Sequence, residues 1–103
     1  MNELESRKRE ALESIKSAFG TKEDEYGATL FVSHHLEELD SDYWVKHLGA
    51  AKPEPKEILN LLQFQSQDNG LVFDFSLPEE VTNYVVSVSF DETGNVEDIS
   101  MES

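Results

Sequence analysis

The stretch from Asn83 to Phe90, NYVVSVSF, most constrains what this chain can fold into. Tyr84, Val86, Val88 and Phe90 fall on one face, and Val85, Ser87 and Ser89 on the other. That is the two-residue period of a strand with one buried side. Read this way, it is the central strand of an antiparallel sheet, with Val88 covered by helices and Ser87 on an open, solvated face. The remainder of the chain must supply the cover.

Its neighbours follow the same pattern. Leu71 to Leu77 alternates, with Leu71, Phe73, Phe75 and Leu77 inward and Val72, Asp74 and Ser76 outward. Asp68-Asn69-Gly70 before it is a strong hairpin signal, so the preceding residues 63–67 form the other arm. After Phe90, Asp91-Glu92-Thr93-Gly94 has the composition of a type I turn closed by a left-handed glycine. A last strand, 96–101, carries Ile99 and Met101 inward. The strands expected are 63–67, 71–77, 83–90 and 96–101.

The first half of the chain has helical spacing. Leu4, Ala11, Leu12, Ile15, Ala18 and Phe19 form a stripe over 3–18, with Arg7, Arg9, Glu10 and Glu13 turned away and Gly20 as a stop. Thr21 then caps a second helix, 22–39, in a box-like arrangement with Asp24. Within it, Thr29 to Ser33 has the composition of a short strand as well, but the HHLEEL continuation favours helix. Ser41 caps a short helix, 42–48, ended by Gly49, and Pro55 opens a fourth, 55–62. Helices first and strands last indicate an α+β fold, a single domain over 1–103 in which N-terminal helices pack on one face of a four-stranded antiparallel meander.

The chain has no cysteine, which excludes disulfides, thiolate metal sites and cysteine nucleophiles. No apolar run reaches the ~20 residues that span a bilayer, and the N-terminus lacks the apolar core of a secretory signal, so a cytoplasmic protein is expected. Net charge is −14. Residues 1–20 are balanced, so the whole excess lies downstream, and beyond Lys56 there is no Lys or Arg. Such a field repels nucleic acid and anionic membranes and favours a basic protein partner, although acidity also serves solubility alone. Two copies of residues 57–103 facing each other would repel, so a monomer is expected.

One group of side chains has ligand chemistry. His34, His35 and Glu38 lie three and four residues apart on the second helix, where an imidazole and a carboxylate share a cation if a further ligand such as His47 joins them. The pattern lacks the second histidine one turn away that HExxH requires, and the plainer alternative is one core histidine and one solvated histidine. Tyr43 and Trp44 are either an interface anchor or the pin that holds their helix to the sheet, and the single Trp of the chain favours the pin. Dinucleotide, P-loop and GxSxG motifs are missing, so no catalytic residue and no cofactor are assigned.

FVSHHLEELDSDYWVKHLG (31–49) and FDFSLPEEVTNYVVSVSFDETGNVEDISMES (73–103) together resemble a family of short, stand-alone bacterial proteins classified only as a domain of unknown function. The likeness covers about half the chain and rests on the strand-turn-strand segment and the paired histidines. It implies a prokaryotic intracellular protein of α+β fold and supplies no catalytic residue. The function expected is a protein-binding module for a basic partner, an immunity-type inhibitor being its most concrete form. The alternative is a metal-binding protein or metal-dependent enzyme built on His34, His35 and Glu38.

Overall fold

A computed structural model describes residues 3–102, the side chains of Glu3 and Glu80 excepted. The chain runs through helices α1 (Glu3–Ala18), α2 (Ala28–Glu38), α3 (Ser41–Leu48) and α4 (Pro55–Leu61), then strands β1 (Gln63–Asp68), β2 (Val72–Ser76), β3 (Val85–Phe90) and β4 (Val96–Glu102). Short 3₁₀ turns occupy Lys22–Asp24 and Pro78–Glu80. The sheet is an antiparallel meander in the order β1-β2-β3-β4. The α+β architecture read from the sequence is therefore the one observed.

Register explains the core. Phe75 pairs with Val86, Phe73 with Val88, and Val88 with Ile99, so the large apolar side chains of three strands project together. Ala11 and Ile15 of α1, Ala28, Phe31 and Val32 of α2, Trp44 of α3, and Ile58 and Leu59 of α4 close over them. Each large side chain taken from water in this way stabilises the fold by ~1.5–3 kcal/mol before the cost of ordering the chain.

Several local expectations need correction. The helix expected over 22–39 is broken, because Asp24 folds back to serve α2 from outside it: its carboxylate accepts from the Ala28 and Thr29 amides at 3.1 and 2.8 Å and from the Thr29 hydroxyl at 2.8 Å. Thr21 caps nothing, and its hydroxyl donates to the Ala18 carbonyl instead. Gly27 makes the break close-fitting, since a Cβ there would stand 2.3 Å from Asp24 Oδ1 and 2.8 Å from the Ile99 carbonyl oxygen. At α3 the residue with extended backbone ahead of the helix is Asp40, and Ser41 is already helical.

Arg7 was expected on the solvent side of α1 but lies half-buried toward the sheet. Its guanidinium donates to the Gly70 carbonyl and sits 5.8 Å from the centre of the Phe90 ring. Ser87, expected to be solvated, is only 8% exposed. A short side chain on a central strand is shaded by its neighbours, and its hydroxyl donates to Asp74 Oδ1 at 2.5 Å. The ladder of β3 also begins two residues later than expected, because Thr82 Oγ1 accepts the Tyr84 amide and the Ser76 hydroxyl donates to the Tyr84 carbonyl.

Candidate functional site

The histidine pair of α2 separates into two roles. His35 is 1% exposed, with Nδ1 2.7 Å from the Phe31 carbonyl and Nε2 2.9 Å from Thr82 Oγ1. A carbonyl only accepts, so Nδ1 carries the proton and Nε2 accepts from the Thr82 hydroxyl, leaving no nitrogen lone pair for a metal. Burial pushes the His35 pKa below the usual imidazole range, against the opposing pull of the Phe31 carbonyl. Its partners, like its burial, suit the neutral ring.

His34 is half-buried and meets Tyr84 edge-on, with ring centres 4.9 Å apart. Glu38, at the end of α2, is exposed. Among the described residues no group of three or more His, Asp or Glu side chains is arranged to hold a metal ion.

His47 joins a different group. Along α3, Tyr43, Lys46 and His47 recur at helical spacing and all reach the turn at Pro78–Glu80. The Tyr43 hydroxyl donates to the Pro78 carbonyl at 3.0 Å, Lys46 Nζ lies 2.7 Å from Glu79 Oε1, and His47 Nε2 lies 2.5 Å from Glu79 Oε2. Glu79 has φ 66° and ψ 19°, a left-handed conformation that a side chain seldom adopts without support. The hydrogen bonds from Lys46 and His47 also hold its carboxyl below the usual range. Burial pushes the Tyr43 phenol up to about 12, with the Glu79 carboxylate adding to the effect. Trp44, 1% exposed beside Tyr43, anchors the same helix, and its indole N–H is the one buried side-chain donor without a partner among the described residues. These side chains clamp α3 to the sheet's end.

The remaining surface of note is the sheet face away from the helices, which sequence reasoning identified as open but did not treat as a site. Pairing places Ser66, Asp74, Ser87 and Ser100 in one row across all four strands. Asp68, Val72, Ser89 and Asp98 follow on one side of that row, and Ser76, Val85 and Glu102 on the other. Asp74 is its centre, accepting from Ser87 and lying 3.5 Å from Ser66 Oγ. Asp68, Asp98 and Glu102 are exposed. A shallow depression of about 370 Å³, lined by Gln65, Ser76, Thr82, Asn83 and Val85, lies at one end.

The face is flat, hydroxyl-rich and acidic, without a cation from its own strands. A surface of this kind suits recognition by hydrogen bonds and charge: its closest carboxylate–hydroxyl pair, Asp74 with Ser87, lies on an open sheet face where the serine is 8% exposed. Comparison of the chain with protein-family models, with curated proteins and with solved structures gives no match.

Proposed function

We propose that this protein is a binding module that engages a basic protein partner through the open face of its sheet, in the manner of an immunity-type inhibitor. The observation that carries this reading is the placement of Asp68, Asp74, Asp98 and Glu102 on one uncovered face of a sheet that contains no Lys or Arg. One further feature supports it: the histidines that suggested metal chemistry are occupied in packing and clamping. Among the described residues no helix is long and apolar enough to cross a membrane. Charge of one sign over a broad face steers a partner of the other sign and speeds encounter more than it adds affinity. It also opposes pairing of two copies through that face, in keeping with a monomer.

The test is a paired capture from the native cell at low and moderate ionic strength, using wild type and a variant with Asp68→Asn, Asp98→Asn and Glu102→Gln. These three carboxylates are exposed, so their neutralisation leaves the core intact. A partner of basic composition held by wild type and released both by salt and by the variant supports the proposal. A partner held equally by both proteins, or no partner under either condition, contradicts it.

A further inference from the structure

The two edges of the sheet are treated differently. Along β4 the chain covers its own edge: the Met101 amide donates to the Tyr26 carbonyl at 3.1 Å, and Gly27 lies against the Ile99 carbonyl. Along β1 nothing comparable occurs. That strand is exposed at every residue and, among the described residues, its backbone pairs only with β2 and, at the turn, with the Leu71 amide, which donates to the Asp68 carbonyl.

A bare edge presents unpaired N–H and C=O groups that template an additional strand, and proteins usually blunt such edges with lysine or proline. β1, QFQSQD, has neither. What guards it instead is the bulge between Phe64 and Ser66 and the charge of Asp68 at one end, and Gln67 lies between them without either.

The chemistry on either side of this edge is unlike. Toward the open face a strand added at β1 would find Ser66 and Asp68 beside it and Asp74 about 10 Å away, two strand spacings, a gap that an extended Lys or Arg closes only together with the Asp74 side chain. Toward the helices it would find Phe64, 36% exposed, with Lys8 Nζ 4.1 Å above its ring. Lys8 is itself paired with Glu5 Oε1 at 3.1 Å, so its charge is balanced, and the Phe64 ring offers an apolar surface.

We propose that the basic partner contributes an extended segment that docks as a fifth strand along β1, with Lys or Arg at alternate positions over Ser66, Asp68 and Asp74 and uncharged apolar residues between them against Phe64. Main-chain hydrogen bonds hold the segment, while the two unlike faces set its phase by charge attraction on one side and apolar contact on the other. The inference rests on the basic-partner reading and adds the place and form of contact.

The probes are synthetic peptides of about eight residues, the length that covers β1 at roughly 3.3 Å per residue. One alternates Lys and Val, a second has the same composition in two blocks, and a third is the alternating peptide N-methylated at every second position. Amide exchange and chemical shifts of the protein, read residue by residue, report where each binds. The alternating peptide is expected to slow exchange of the amides in 63–68, and the N-methylated and block peptides to bind about tenfold or more weakly. Phe64→Ser should weaken the alternating peptide, with shifts in the free protein confined to the neighbours of that ring, Lys8, Phe73 and Phe75.

Equal binding of all three peptides overturns the proposal. So does a salt-dependent response confined to Asp74, Ser87, Asp98 and Ser100 with residues 63–68 silent, a result that leaves the basic-partner reading standing. No response anywhere overturns both. Protection of 63–68 that grows with protein concentration in the absence of peptide assigns the edge to a second copy and overturns it as well.

Discussion

The imidazole of His35 and the hydroxyl of Thr82 meet at 2.9 Å across 47 residues of sequence, joining the core face of α2 to the segment that leads into β3. With the Phe31 carbonyl setting the tautomer, Thr82 donates to the ring and accepts the Tyr84 amide, so one hydroxyl ties the histidine to the start of the strand. Replacing His35 by Ala should destabilise the protein by about 2–4 kcal/mol, the sum of a core void and an unpaired Thr82 hydroxyl. Urea unfolding checks the magnitude. Zinc titration of the wild type should show no site that depends on His35.

The same residue sets a pH dependence. Its pKa is lowered in the folded state, so below the ordinary imidazole range the unfolded chain binds the proton more readily. The His35 contribution to stability is therefore fully present above about pH 6.5 and declines as pH falls toward the folded-state value. Unfolding midpoints between about pH 7.5 and pH 5 should decline in wild type. His35→Asn, unable to titrate, should remove the part of that decline that belongs to this ring.

Tyr43 gives the opposite sign in the alkaline range. With its phenol raised to about 12, the folded state resists ionisation, and the stability this confers is present below pH 10 and lost as pH rises toward 12. Ultraviolet titration of wild type against Tyr43→Phe should show the Tyr43 phenol ionising late. Glu79→Gln should bring that ionisation to lower pH, because the neighbouring carboxylate is part of its cause.

Asp24 and Gly27 carry the break between α1 and α2. Asp24→Ala leaves the Ala28 and Thr29 amides without their carboxylate acceptor and should cost about 1–2 kcal/mol. Gly27→Ala places a methyl group against Asp24 and the Ile99 backbone and should cost at least as much. Thermal denaturation of the two variants provides the comparison.

Much of this architecture could be read from sequence because sheets with one covered face declare themselves by alternation. NYVVSVSF placed Val86, Val88 and Phe90 correctly, and Gly49 and Pro55 marked helix ends for reasons local to each residue. What was missed depended on partners distant in the chain. Arg7 was assigned to solvent by its charge, yet it stands one turn before Ala11 and two before Ile15 on the buried stripe, and that spacing was the available signal. Asp24 resembled a residue in a first helical turn because nothing in its neighbourhood shows that Gly27 lets the chain close onto β4. For the open face, alternation predicted which side chains share it. The alignment of Ser66, Asp74, Ser87 and Ser100 requires strand register, which single strands do not encode.

The central claim is that the open acidic face steers a basic protein onto this one, and association kinetics test it most directly. Rates for the captured partner are measured over a range of ionic strength with wild type and with the Asp68→Asn, Asp98→Asn, Glu102→Gln variant, after equal stability of the two has been verified. The account predicts that association with wild type slows steeply as salt rises, and that the variant associates more slowly at low salt with a much flatter dependence. Identical rates and identical salt dependence for the two proteins would contradict it.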